Sequence, residues 1–264
     1  MKSQNISKTT IGIYLRPLRA IFNEAIEDSI IKREKCYPFG KRKYRIPTSK
    51  NVKKALELAE VQKIYFYECN PELTGEQQAK DYWLFSYFGN GMNPKDIANL
   101  KFKNIDGEYL TFERSKTERS LRSDPKPITI FLTDDMKEII ERGSNKNKSP
   151  NNYLFPILEH GLSPLRQYEL IQNFVGFIND WMKRIFKNLG IDKKATTYVA
   201  RHTFSTVLKR SGASTVFIQE ALGHTDLKTT ENYLDSFDKD VKKDFAKRLT
   251  SFKNQPIMKT DLIN

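Results

Sequence analysis

The stretch TTYVARHTFSTVLKRSGASTVFIQEALGHTDLKTTENYLDSF, residues 196–237, carries the most specific pattern in this chain. Apolar residues recur in it at helical spacing, and serine, glycine and threonine separate the apolar runs. This pattern predicts three consecutive helices: Thr197–Ser211, Ser214–Leu222 and Lys228–Phe237. Arg201 lies near the start of the first helix, His224 follows the second, and Tyr233 lies inside the third. These three polar side chains can therefore converge on one site.

The rest of the sequence predicts a mainly helical body. Further helices are expected at Ala55–Cys69, Glu76–Phe88, Pro94–Leu100, Asp134–Arg142, Pro164–Leu189 and Lys239–Phe252. Runs rich in β-branched and aromatic residues at Tyr109–Arg114 and Ile128–Leu132 flank a polar stretch, which indicates a β-hairpin. The predicted fold class is therefore mainly α with a small β-hairpin or sheet.

The first 50 residues hold much of the positive charge. They contain 12 Lys or Arg against 4 Asp or Glu, a net charge of +8, whereas the whole chain of 264 residues carries +13. Apolar residues at helical spacing predict a basic amphipathic helix from Thr9 to Ile31, which Pro17 should kink or divide in two. We therefore separate a helical segment with a basic linker, residues 1–50, from a large domain, residues 51–264.

The linker GKRKYRIPTSKNVKK, residues 40–54, has no apolar period and many cations. Its candidate DNA-binding residues are Lys41, Arg42, Lys43 and Arg45. Such a linker either tracks a phosphate backbone or is simply solvated, and its sequence favours neither. The positive charge of the whole chain exceeds what solubility requires, so we expect a polyanionic partner such as a nucleic acid; a soluble basic protein with no nucleic-acid role is the alternative.

Several other classes of protein are disfavoured by the composition. Cys36 and Cys69 are the only cysteines, with no CxxC motif, which argues against a disulfide framework or zinc site and fits a reducing cytoplasm. His160, His202 and His224 are too scattered for a metal centre. No apolar run approaches the ~20 residues that span a bilayer, and no nucleotide-binding motif is present. We expect a soluble cytoplasmic protein without metal, cofactor, nucleotide or membrane partner.

The motifs ARHTF, ALGH and TTENY, residues 200–204, 221–224 and 229–233, together resemble the tyrosine recombinase (phage integrase) family. The family pattern is an Arg followed by a His, then LGH, then a Tyr near the end of the domain. The resemblance covers roughly residues 8 to 252 and implies a recombinase catalytic domain. It also implies that residues 1–50 are the final helices of a core-binding domain, so we expect a truncated piece of a longer protein.

The resemblance implies metal-free cleavage of a phosphodiester bond. Tyr233 would attack the scissile phosphate and form a 3′-phosphotyrosyl bond, whose stored energy allows rejoining without ATP. Arg201 and His224 would hold the phosphate oxygens. Lys116, in the predicted hairpin, would protonate the leaving 5′ oxygen. Each side chain also has a structural interpretation, such as a core tyrosine or an exposed lysine, but the order and spacing of the set favour function.

The first arginine of the family pattern is missing. The corresponding run is Gly91–Ile97, and Asn93 stands where arginine is expected. An amide carries no charge, so one strong phosphate contact is lost unless another cation replaces it. Arg114 is the best substitute because it precedes Lys116 by two residues and would face the same side of a strand. Lys95 is the lesser candidate.

A second departure is Tyr198, three residues before Arg201, where the family has His or another polar residue. A phenol, with a pKa near ~10, is a poorer proton shuttle than imidazole at neutral pH, so its role as general base is doubtful. We expect His202 and Asp96 to be structural.

The resulting interpretation is a site-specific DNA recombinase of a phage or other mobile element. The family works as a tetramer on two synapsed duplexes, so we expect a homo-tetramer on double-stranded DNA and a monomer alone. The last predicted helix, Lys239–Phe252, is either exchanged between neighbours or packed in cis. Two other functions stay open: a catalytically impaired DNA-binding protein on a recombinase scaffold, and DNA relaxation of the type IB topoisomerase kind.

Overall fold

The computed structural model describes residues 6–47, 55–114, 127–224 and 229–230 of the chain. Its contacts divide the chain into two compact units, Met1–Val52 and Lys53–Asn264. The interpretation of the first unit as part of a core-binding domain stays a prediction. The predicted helices Lys228–Phe237 and Lys239–Phe252 lie outside the described residues, apart from Thr229 and Thr230, which are helical. No helix in these ranges is long and apolar enough to cross a bilayer.

The first unit is built around one long helix, α1, Lys8–Glu27. Ser7 begins it, since its hydroxyl accepts a hydrogen bond from the backbone N–H of Thr10 at 3.1 Å. Pro17 lies inside α1 and does not divide it, so the prediction of two helices at this proline is wrong. The helix also ends earlier than predicted, because Ser29 adopts a left-handed φ of 60°.

The second unit is mainly helical, as predicted. Its helices are α3 (Leu58–Tyr65), α4 (Thr74–Phe88), α5 (Pro94–Asn99), α6 (Asp134–Gly143), α7 (Pro164–Asn188), α8 (Thr197–Arg210) and α9 (Thr215–Ala221), while α2 (Arg33–Cys36) belongs to the first unit. Helix α4 packs against both α7 and α8. Its side chains Trp83 and Phe85 have no exposed surface, which places α4 at the centre of the core.

Helix α3 is shorter than the predicted Ala55–Cys69. The backbone N–H of Leu56 donates to the side chain of Thr203 on α8 at 3.0 Å, and α3 begins only after Glu57, where Glu57 and Glu60 form a capping box. At the other end, the ammonium group of Lys80 donates to the carbonyl oxygens of Tyr65, at 3.2 Å, and Tyr67, at 2.7 Å. These bonds satisfy carbonyl groups that a helix end leaves without partners.

The predicted hairpin is present within a three-stranded antiparallel sheet of order β1–β2–β3. Its strands are β1 (Ile105–Asp106), β2 (Tyr109–Phe112) and β3 (Ile128–Phe131). Leu110 pairs with Ile130, and both side chains are buried in the core. Two corrections follow: β1 was missed because two residues carry no alternation, and β2 ends at Phe112, before the predicted Arg114.

Candidate active site

Arg201 is the most connected side chain of the candidate site. It lies in α8 and is only 3% exposed. Its Nη1 donates to the carbonyl oxygen of Gly91 at 2.8 Å, and its Nη2 donates to that of Leu222 at 2.6 Å. The same Nη2 lies 3.1 Å from Nε2 of His224. One guanidinium group therefore joins the turn before α5, the end of α9 and a histidine. Arg201 and His224 lie together, as the sequence predicted.

The turn at Gly91 approaches α8 so closely that only glycine fits. Its φ is +63°, a left-handed conformation, and an added Cβ would lie 2.8 Å from Cα of Arg201. This close approach is what brings the Gly91 carbonyl within reach of the guanidinium group. The family motif points to this turn because Asn93 replaces an arginine there, and it gives no indication of the role of Gly91.

His224 is held at both its backbone and its ring. Its N–H donates to the carbonyl oxygen of Gln219 at 3.0 Å, and the side-chain amide of Gln219 donates to the carbonyl oxygen of His224 at 3.1 Å. Its Nδ1 lies 2.9 Å from Oγ1 of Thr230, which is fully buried. Gln219 and Thr230 were not predicted as site residues; the paired threonines of the TTENY motif were the available signal for Thr230.

Arg114 reaches the same loop from the hairpin side. It is 9% exposed, and its Nη1 donates to the carbonyl oxygen of Gly223 at 3.1 Å. The two arginines thus bind the consecutive carbonyl groups of Leu222 and Gly223. However, Arg114 lies beyond the end of β2, so the expectation that it shares a strand face with Lys116 is not supported. Lys116 and Tyr233 lie outside the described residues.

The residues around the missing arginine are placed differently. Asn93 is the residue before the first turn of α5, and its amide donates to the carboxylate of Asp96 at 3.4 Å. Asp96 is buried, as expected of a structural residue, whereas Lys95 is exposed. Of the two cations considered as substitutes, Arg114 is the one seen on the loop that also holds Arg201.

Tyr198 lies in the first turn of α8 and is 42% exposed. Its ring packs edge-to-face against the ring of His202, with centroids 4.7 Å apart. The phenol therefore sits on the surface of α8, one turn before the buried Arg201.

The basic segment of the first unit forms a turn between Phe39 and Tyr44. The N–H of Tyr44 donates to the carbonyl oxygen of Pro38 at 3.0 Å, and the N–H of Gly40 donates to that of Tyr44 at 3.3 Å. All four candidate DNA-binding side chains of this segment are exposed: Lys41, Arg42, Lys43 and Arg45. We call residues 39–45 the basic turn. The backbone hydrogen bonds that close this turn keep the four exposed cations within one short segment of the surface.

A groove of about 660 Å³ lies elsewhere in the second unit, between α4, α6 and residues 155–156. Its wall includes Tyr82, and burial raises the pKa of that phenol to about 12, so it stays protonated. None of the arginines or histidines of the candidate site lines this groove. The cluster around Arg201 is therefore a separate feature, formed where side chains from different segments meet residues 222–224.

Comparisons with known proteins agree with the fold. Residues 54–240, more than half of the chain, match the sequence model of the phage integrase family. The tyrosine recombinase XerD of Listeria innocua is 26% identical over 241 residues, which span 88% of this chain and 73% of that protein. The Tn1549 transposon integrase, solved with a circular intermediate DNA, has a TM-score of 0.62 at 19% identity, covering 94% of this chain and 82% of its own.

A further likeness is to the XerH recombinase bound to difH DNA after cleavage. Its TM-score is 0.61 at 18% identity, over 96% of this chain and 67% of that chain. At such low identity the two structural likenesses support the fold alone. They confirm a mainly helical fold of the tyrosine recombinase kind.

The Gly91→Ala substitution should disrupt the site beyond its effect on the backbone. The left-handed conformation alone costs on the order of 1–3 kcal/mol in a residue with a Cβ, and the clash with Arg201 adds to this. Gly107→Ala is a matched control, because Gly107 has φ +57° but open space around its Cβ position. Urea unfolding should show the larger loss of stability for Gly91→Ala. Equal losses of stability in the two variants would mean that the close contact between Gly91 and Arg201 adds nothing to the cost of the left-handed backbone.

Proposed function

We propose catalytic roles for the side chains clustered around Arg201. The premise is that this chain belongs to the phage integrase family and is a site-specific DNA recombinase of the tyrosine type. The observation that carries the proposal is the meeting of Arg201, His224 and Arg114 at residues 222–224. Two guanidinium groups and an imidazole supply the donors that a scissile phosphate requires, without a metal ion.

Arg201 and Arg114 bind the scissile phosphate in this proposal. Each donates to a backbone carbonyl oxygen, a neutral acceptor, whereas a phosphate oxygen carries charge and accepts more strongly. A guanidinium group has five N–H donors, so it can keep a carbonyl partner while it turns others to the phosphate. The arginines are thereby held near the position where negative charge develops in the transition state.

Tyr233 and Lys116 complete the chemistry, by resemblance to the family. The phenolic oxygen of Tyr233 loses its proton to solvent and forms a bond to phosphorus as the bond to the 5′ oxygen breaks, and the protonated Lys116 gives a proton to that leaving oxygen. In the reverse step a 5′-hydroxyl of another strand returns its proton to Lys116 and displaces Tyr233, which regains a proton from solvent. Phosphodiester bonds are conserved in number, so no nucleotide is consumed.

Arg114 takes the place of the missing first arginine in this proposal, because Asn93 offers only a neutral amide. Its support is the bond to the carbonyl of Gly223, the residue next to Leu222, whose carbonyl Arg201 binds. The alternative is a recombinase scaffold that binds DNA but no longer cuts it, which Asn93 favours. Tyr198 has a minor role at most, as a hydrogen-bonding phenol and not as a general base.

The DNA duplex contacts the basic turn, and the active assembly is a homo-tetramer on two synapsed duplexes, with the chain monomeric alone. The exposed cations of the turn support phosphate contacts that position the protein without reading sequence. A phage or other mobile element is the proposed origin, in keeping with the transposon integrase that shares the fold.

Tyr233→Phe should abolish covalent adducts between the protein and DNA. The assay uses nicked duplexes from a pool of randomised sequence, incubated in EDTA, with adducts recovered after denaturation. The nick lets the cleaved fragment diffuse away and traps the phosphotyrosyl bond. Wild type should form adducts despite the chelator. An adduct that survives the substitution would disprove the nucleophile, and DNA binding without any adduct would support the inactive scaffold. Multiple-turnover relaxation of plasmid of any sequence would instead support topoisomerase activity.

Arg114→Ala should slow adduct formation as much as Arg201→Ala, by about 10²–10³-fold, as expected for the loss of one charged donor to the transition state. Arg114→Lys should fall between, since lysine keeps the charge but loses the planar fork. Lys137→Ala is the control, because this exposed lysine of α6 pairs with Asp134. The measurement is the single-turnover rate on a duplex recovered from the pool. A rate near wild type for Arg114→Ala would end the substitution hypothesis.

Lys41→Ala combined with Arg42→Ala should weaken the salt dependence of DNA binding. Each lost phosphate contact reduces the slope of log K against log salt concentration by about 0.9. Lys32→Ala with Lys35→Ala removes the same charge from exposed positions of the same unit. Binding titrations at several salt concentrations compare the two pairs. If both pairs change the slope equally, only net charge matters and the basic turn is no specific contact.

A further inference from the structure

We propose that Thr230 is a positioning residue that orients the His224 ring and lets it exchange tautomers when a phosphate displaces Arg201. The inference deepens, and rests on, the proposed role of His224 as a phosphate ligand. It starts from two contacts of one ring: Nε2 with Nη2 of Arg201 at 3.1 Å, and Nδ1 with Oγ1 of Thr230 at 2.9 Å.

The contact with Arg201 decides which ring nitrogen carries the proton. A guanidinium group has donors and no acceptor, so Nε2 must accept this hydrogen bond through its lone pair. The proton of the neutral ring is then on Nδ1, which donates to Oγ1 of Thr230. Without DNA, the two proposed phosphate ligands therefore hold each other, and Nε2 has no proton to give to a phosphate.

Binding of phosphate requires the opposite arrangement at Nε2. A phosphate oxygen is an acceptor, so His224 must present Nε2–H to it while Arg201 turns toward the same anion. The neutral ring reaches this state when the Thr230 contact opens transiently, so that Nδ1 loses its proton to solvent and Nε2 gains one. The charge of the ring is unchanged, and Nδ1 becomes an acceptor.

Thr230 is suited to both states because a hydroxyl group both accepts and donates. It accepts from Nδ1–H in the free protein and donates to Nδ1 in the complex. It also opposes a flip of the ring, which would exchange Nδ1 for a carbon atom and leave a buried hydroxyl without its partner. Thr230 is 0% exposed and His224 is 8% exposed, so water cannot readily replace either partner.

The test compares Thr230→Val, which keeps the shape but removes the hydroxyl, with Thr230→Ser, which keeps the hydroxyl. Thr206→Val is a matched control, since Thr206 is 2% exposed and its hydroxyl has no hydrogen-bond partner among the described residues. Second-sphere partners of histidine ligands typically contribute 10–100-fold. Thr230→Val should therefore slow single-turnover adduct formation by about 10–100-fold with unchanged DNA affinity, while the other two variants stay close to wild type.

Two-bond ¹H–¹⁵N spectra of the three histidine side chains supply the direct readout. His224→Gln identifies the signal, and Tyr233→Phe prevents cleavage in the complex with a recovered duplex. We expect Nδ1–H without DNA and Nε2–H with DNA, and a smaller fraction of Nε2–H in the complex of Thr230→Val, because Nδ1 then lacks the hydroxyl that donates to it. A DNA-free ring protonated at Nε2, a doubly protonated ring in the complex, or wild-type cleavage by Thr230→Val would overturn the proposal.

Failure of this proposal can be told apart from failure of the proposed function. If wild type forms no adduct with any duplex, the recombinase mechanism fails, while the spectrum of the DNA-free protein still decides the tautomer. If Thr230→Val does not fold, Thr230→Ser and the wild-type spectra decide. An Nε2–H ring in the free wild-type protein would then exclude the exchange of tautomers.

Discussion

The buried guanidinium group of Arg201 sets the constraints that the surrounding structure obeys. A buried cation is costly unless its N–H groups are satisfied, and here they reach Gly91, Leu222 and His224, on three separate segments. Each segment must therefore approach α8 closely. At Gly91 the approach leaves no room for a Cβ, and the turn that provides the carbonyl needs a left-handed residue.

The end of α9 supplies carbonyl groups that accept hydrogen bonds from the arginines of the candidate site. The last carbonyl groups of a helix have no partner within it and lie at the negative end of its dipole. Leu222, which caps α9, offers such a group and Arg201 binds it, while Arg114 binds the carbonyl of the next residue, Gly223. Two cations thus bind consecutive carbonyl groups, and the repulsion between like charges in a low-dielectric site is the physical reason for the proposal that a phosphate anion binds here.

Sequence patterns predicted the long elements well, because α7 buries an apolar face over several turns and α4 is rich in aromatic residues that fill the core. It failed where structure is short or where a cap decides the start of a helix: β1 has two residues, and α3 begins only after the capping box of Glu57 and Glu60. The pairing of Arg201 with His224 was predictable from motif order. Their backbone partners were not, because a carbonyl acceptor leaves no mark on residue identity, and Thr230 was visible only as part of a motif.

The position of Arg114 in the chain, after β2 and not at the start of α5, changes how the candidate site is assembled. An arginine at the position of Asn93 would start α5, whereas Arg114 follows β2 and reaches the loop only when the hairpin docks on α9. That docking is tight, since an added Cβ on Gly223 would lie 2.4 Å from Cδ1 of Ile128 in β3. The hairpin also leads to Lys116 along the chain. The packing of β3 against α9 therefore governs the placement of Arg114. In the proposed mechanism this ties phosphate binding to the stretch of chain that leads to the proposed general acid.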